Sequence, residues 1–186
     1  MNVYDFDETI YHGDSTRDFY FFCLKNYPQV AKYLPMQGWY AIWFGLKVMP
    51  KTQFKEKFYS FLKTIPDIDG AVEVFWRSHE KNLKEWYIAQ KKDDDLIISA
   101  SPEFLLAPIC GKLGIKVIAS RVDKKSGKTE GENCWGEEKV KRFNAAGGGE
   151  IDEFYSDSYS DTPLALLAKK AFLVKGDKII DFDKKI

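Results

Sequence analysis

The chain has 186 residues, 45% hydrophobic and 30% charged, with 28 Lys and Arg against 28 Asp and Glu. That length supports one core and a small accessory module, and the balanced charge lacks the basic field of a nucleic-acid-binding domain, so nucleic acid is excluded as a partner. Cys23, Cys110 and Cys134 without CxxC spacing, beside only His12 and His79, make no zinc ligand set and fit buried thiols in a reducing compartment.

Residues 2–6 read as a short buried strand, which leaves no room for a signal peptide. It runs into Asp5-Phe6-Asp7-Glu8-Thr9, two carboxylates and a hydroxyl at the strand's carboxyl end. From Asp14 to about Lys91 the period turns helical: Phe19, Phe22 and Cys23, then Phe54, Phe58, Phe61 and Leu62, then Val72, Phe75, Trp76, His79 and Leu83. Pro28, Pro35, Pro50 and Pro66 divide this stretch into four or five helices. The apolar run Trp39–Leu46 stops at Lys47, short of the roughly 18 residues a membrane span needs. A cytoplasmic location is expected.

Beyond Lys91, strands and helices alternate. Leu96–Ser99 is a strand, and Ser101 with Pro102 reads as the cap of a helix to about Leu113. Ile115–Ala119 is a strand, and residues 121–135 suggest a hairpin around Ser126-Gly127. A helix over Gly136–Ala146 precedes the strand Asp152–Tyr155, and Thr162-Pro163 opens a helix to Lys169. Strands at Ala171–Val174 and Ile179–Phe182 close the chain. This alternation predicts an α/β fold with a doubly wound parallel sheet, residues 1–13 and 91–186 forming the core and 14–90 a helical cap inserted after the first strand. Ligands bind at the carboxyl ends of the strands of such sheets.

Singly, each polar motif reads as a turn, a cap or a surface charge. In order they are Asp5-x-Asp7-x-Thr9, Ser99-Ala100-Ser101 after an apolar run, Lys139 in Gly136-Glu137-Glu138-Lys139-Val140, and Asp157-Ser158-Tyr159-Ser160-Asp161 after another run. That succession resembles the haloacid dehalogenase superfamily and, within it, the phosphoserine-phosphatase-like branch. Asn133-Cys134-x-Gly136-Glu137-Glu138-Lys139 and Asp157-Ser-x-Ser-Asp161-x-Pro163-Leu164 resemble characteristic strings of that branch.

The resemblance implies a Rossmann-like core and a Mg2+-dependent phosphatase working through an aspartyl-phosphate. Asp5 is then the nucleophile, and Asp7 the general acid and later base. Mg2+ takes a side-chain oxygen of Asp5, the backbone carbonyl of Asp7 and the carboxylate of Asp157. Thr9, Ser99 and the Ala100 backbone lie at the phosphate, Lys139 neutralises Asp5 and phosphate, and Asp161 orients Lys139 or a metal-bound water. The chemistry agrees: an ionised aspartate needs no base to attack, and a divalent cation offsets its repulsion from phosphate. Asp14 stands where phosphoserine phosphatases carry a substrate-reading glutamate, one methylene shorter, with Arg17 nearby.

The expected partner is a small soluble phosphomonoester; the oligomeric state is left open. Two alternatives compete. One is a membrane-associated lipid-phosphate phosphatase of the phosphatidylglycerophosphatase kind, with Trp39, Tyr40, Trp43 and Phe44 dipping into the interface. The other is a non-hydrolytic phosphoacceptor domain, which the helical insertion and the Asp-x-Asp spacing after the first strand oppose.

Overall fold

The computed structural model describes residues 1–49 and 51–183. Pro50, expected to punctuate the helical stretch, lies outside the described residues. Six strands form one sheet: β1 (Asn2–Tyr4), β2 (Leu96–Pro102), β3 (Lys116–Ser120), β4 (Ile151–Ser156), β5 (Ala168–Lys175) and β6 (Lys178–Asp181). Their order is β3-β2-β1-β4-β5-β6, parallel through β5, with β6 antiparallel at the edge. The fold is the expected α/β doubly wound sheet.

Period-2 alternation divides the strands between the two faces. Tyr4, Ile97 and Tyr155 enter one buried cluster with Leu105, Leu106, Ile109 and Cys110 of α6 (Glu103–Leu113). Val3, Ile98 and Phe154 enter the other, with Phe143 of α7 (Glu137–Ala145) and Leu164 of the short α8 (Thr162–Ala165). Strands covered on both faces read as unbroken apolar runs, which is why β2, with Leu96, Ile97 and Ile98, was legible. All three cysteines are buried and free, and burial pushes their thiols up, to about 12 for Cys23 and Cys110 and about 11 for Cys134.

Between β1 and β2 lie α1 (Ser15–Asn26), α2 (Leu34–Gly45), α3 (Lys51–Tyr59), α4 (Ile68–His79) and α5 (Glu85–Gln90), joined by short 3-10 turns. Phe19, Phe75 and Trp76 from these helices, and Phe61 from the 3-10 turn after α3, join the cluster that holds Ile97 and Leu105. The Trp76 indole N–H donates to the Leu105 carbonyl (2.7 Å), satisfying its polar atom where the insertion meets α6.

Several local expectations need correction. Strand β1 ends at Tyr4, and Phe6 accepts backbone bonds from Ile10 and Tyr11, so the chain curls into a turn at once. Strand β2 continues through an irregularity to Pro102, and α6 begins at Glu103 with no side-chain cap; Ser101 does not cap it. The hairpin expected around Ser126-Gly127 is present in a short form, with an antiparallel bridge between Val122 and Thr129 and backbone bonds from Asp123 to Lys128 and from Glu130 to Arg121. Helix α8 is one turn, and β5 starts at Ala168. At the tip of the 121–130 turn, Gly127 has φ +71, and a Cβ there would lie 2.4 Å from the Tyr59 carbonyl oxygen, so glycine is required by both handedness and space.

Candidate active site

Sheet order determines where the motifs meet. Strands β2, β1 and β4 are neighbours, and the connections run in opposite directions from β1 and β4, leaving a crevice at their carboxyl ends. Asp5 follows β1, Ser99 lies in β2 and Asp157 follows β4. They line one cavity of about 490 Å3 with Asp7, Asp14, Ala100, Lys139 and Asp161.

Lys139 is buried in the first turn of α7, and its ammonium lies 2.9 Å from Asp5 Oδ1 and 2.7 Å from Asp161 Oδ2. Ser156 donates a second bond to Asp161 Oδ2 (2.8 Å), while Asp161 Oδ1 is buried with no partner among the described residues. Burial opposes the Lys139 charge, but Asp5 and Asp161 more than offset it, so its pKa rises. Burial pushes Asp5 up to about 7 against the pull of Lys139.

Asp7 is held differently. Its Oδ1 accepts from the Ser15 amide at the start of α1 (2.6 Å), and its Oδ2 accepts from the Ser101 hydroxyl (2.5 Å). Thr16 and Ser101 hydroxyls lie 2.9 Å apart, extending the chain of bonds. Burial, reinforced by Asp14, raises Asp7 to about 6, although the serine bonds pull the other way. Ser99 Oγ accepts from the Ser101 amide (3.1 Å). The Ala100 carbonyl accepts from Lys55 of α3 (2.8 Å) and Ser120 (2.9 Å), turning the Ser99–Ser101 backbone away from regular pairing.

Thr9 is fully buried, its hydroxyl has no partner among the described residues, and it does not line the cavity. Asp14 is at the rim, where its Oδ1 caps α1 by accepting from the Arg17 amide (2.9 Å). Arg17, Thr16, Lys55, Phe54, Phe58, Tyr59, Trp135, Ser101, Ser158 and Ser160 complete the lining with Glu8. Only Arg17 of these was singled out as a site residue from sequence. Phe54, Lys55, Phe58 and Tyr59 reach the cavity through the orientation of α3, which leaves no motif, whereas Glu8, Ser101, Ser158 and Ser160 arrive within the motifs that carry the aspartates and Ser99.

Six acids (Asp5, Asp7, Glu8, Asp14, Asp157, Asp161) line the cavity against Arg17, Lys55 and Lys139. Asp157 has no ion-pair partner among the described residues, and burial, then Asp161, raises its pKa. An excess of hard oxygen donors with an orphaned buried Asp161 oxygen suits a divalent cation. Among the described residues no three Asp, Glu, His or Cys side chains form a cage.

A model of the haloacid dehalogenase-like hydrolase family matches residues 3–166. Among curated proteins, no sequence matches the chain. Of solved structures, a protein of unknown function from Bordetella pertussis Tohama I is similar at TM-score 0.74 and 20% identity, over 92% of this chain and 87% of that one. A phosphoserine phosphohydrolase-like protein from Francisella tularensis subsp. tularensis SCHU S4 is similar at TM-score 0.53 and 15% identity, over 92% and 86%. A phospho-aspartyl intermediate analogue of phosphoserine phosphatase is similar at TM-score 0.55 and 22% identity, over 91% and 83%. These likenesses establish a shared fold.

Proposed function

The chain belongs to the haloacid dehalogenase-like hydrolases, and on that premise we propose that it is a Mg2+-dependent phosphomonoesterase of the phosphoserine-phosphatase-like branch, with residues 14–90 as its cap. The observation that carries the reading is the Asp5–Lys139–Asp161 cluster beside a hydrogen-bonded Asp7 of raised pKa, all in one cavity.

An Asp5 oxygen attacks phosphorus, and the bond from phosphorus to the ester oxygen breaks, leaving an aspartyl-phosphate. Lys139 holds Asp5 Oδ1 and balances charge there, while the other oxygen is left for attack. Asp7, with a pKa near 6, carries enough of its protonated form near neutrality to supply the leaving alkoxide with a proton. It then takes a proton from the water that attacks the phosphorus, releasing inorganic phosphate and restoring Asp5. Bonds from Ser15 and Ser101 fix the Asp7 carboxyl for both steps. Ser99 and the adjoining backbone bind the phosphoryl oxygens. Asp5, the Asp7 carbonyl and Asp157 would hold Mg2+. When bound, the ion offsets the repulsion between anionic nucleophile and phosphate.

A cavity of about 490 Å3 admits a small phosphorylated head group. The test is hydrolysis of p-nitrophenyl phosphate by the full chain in Mg2+, its loss in EDTA and its recovery on adding Mg2+. Asp5→Asn should abolish turnover with the circular dichroism spectrum unchanged. Turnover near the native rate in that variant overturns the mechanism.

A further inference from the structure

Helix α2 is built inside out. Trp39, Ile42, Trp43 and Leu46 recur at i, i+3, i+4 and i+7, the spacing of a single apolar stripe, yet they are 58%, 59%, 40% and 68% exposed. The one buried residue of the helix is Gln37. Its side chain accepts from the Tyr20 hydroxyl (2.5 Å) and donates to the Phe58 carbonyl (2.8 Å). The helix is thus anchored to the protein through a polar residue, with its apolar stripe turned outward. An exposed apolar patch of this kind marks an interaction surface.

Charge selects the partner. Between Phe19 and Pro66 there are seven lysines and one glutamate, in a chain balanced overall. The glutamate, Glu56, is bound by the Thr129 amide and hydroxyl (3.1 and 2.7 Å). Lys32 and Lys47 bracket α2, and Lys57 lies 5.5 Å from the centre of the Tyr40 ring. A second copy would bring the same lysines against these and be repelled. An anionic bilayer complements both features, seating tryptophans at headgroup depth and lysines against the headgroups.

The patch is also continuous with the cavity. Phe44 stacks on Phe54 (4.7 Å between centroids), and Phe54 on Phe58 (6.4 Å); the last two line the cavity. We propose that α2 docks this chain on an anionic bilayer surface and that its phosphomonoester is anchored in that bilayer, the polar head in the cavity and the apolar part leaving over Phe54 and Phe44. The substrate clause rests on the phosphatase reading; the docking clause does not.

The test is co-sedimentation of the full chain with phosphatidylcholine vesicles, with and without phosphatidylserine. Binding should require phosphatidylserine and weaken with salt. The Trp39→Ser/Trp43→Ser double variant should bind at least about tenfold more weakly, with p-nitrophenyl phosphate turnover unchanged. Phosphatidic acid in the same vesicles should be hydrolysed at least about tenfold more slowly by that variant. Absence of binding, or full binding by the double variant, overturns the docking. So does a native dimer in gel filtration that the double variant converts to monomer, because the occupant is then a second copy. Equal rates on phosphatidic acid overturn the anchored substrate. Vesicle binding without any phosphatase activity would instead refute the enzymatic reading and leave the docking standing.

Discussion

Replacing Lys139 with methionine keeps the stem and removes the ammonium. It leaves Asp5 and Asp161 facing each other with their shared counter-charge gone; only Ser156 still donates to Asp161 Oδ2. Removing one partner of a buried ion pair costs about 3–5 kcal/mol, a large part of the about 5–15 kcal/mol that holds a domain folded. At about 2–4 °C per kcal/mol for a chain of this size, Tm should fall by roughly 6–20 °C near pH 7.5. The loss is pH-dependent with a defined sign. Burial already raises Asp5 to about 7, and without Lys139 it rises further. A carboxyl raised in the folded state favours folding below its unfolded value of about 4, and that contribution is lost as pH climbs through the folded value. The Tm deficit should therefore be smaller at pH 5 than at pH 7.5. Thermal unfolding followed by circular dichroism at both values measures it. A Tm within about 2 °C of the native chain at pH 7.5, or a deficit that grows toward pH 5, would show that the cluster is not held by charge.

Asp7→Asn should slow an alkyl phosphate far more than p-nitrophenyl phosphate, because protonation helps the poorer leaving group; equal losses in steady-state assays would remove Asp7 from the acid role. Asp157→Ala should raise the Mg2+ concentration for half-maximal activity, and an unchanged Mg2+ titration would move the ligand to another residue, Asp161 first. For Asp14, the cap of α1 complicates alanine, which would cost about 0.5–2 kcal/mol. Asp14→Asn keeps an N-cap and removes only the charge, so it should raise KM for a substrate bearing an amine or several hydroxyls and spare p-nitrophenyl phosphate. A parallel change for both would reduce Asp14 to its helix.

The core and the polar cluster were readable because each depends on local pattern and chain order. Ile97 and Ile98 announce a strand covered on both faces, and parallel neighbours then carry Asp5, Ser99 and Asp157 to one edge without further information. What escaped depends on departures from regularity. Ser101 followed by Pro102 reads as a helix cap, but the irregular end of β2 adds residues before α6 begins and turns the hydroxyl to Asp7. Thr9 belongs to a motif that the family resemblance brings to the phosphate, and the curl after Phe6 that buries it leaves no mark in the sequence. The stripe on α2 has the period of a core-facing helix, and only the bonds of Gln37 reveal which side faces in. Lys55 enters through the pose of α3, which no spacing encodes.

Gly127 belongs to none of the motifs and lies in a turn that would pass for a spacer. Yet it rests on the carbonyl of Tyr59, and Tyr59 is a wall of the cavity. A methyl group at that position would force apart two surfaces that now touch backbone to backbone, and the displacement would arrive at the mouth of the cavity. The turn works as a buttress whose fit depends on an atom that is missing. The chemistry thus depends on a position that never meets the substrate, and a screen for inactive variants should recover substitutions there beside those at Asp5.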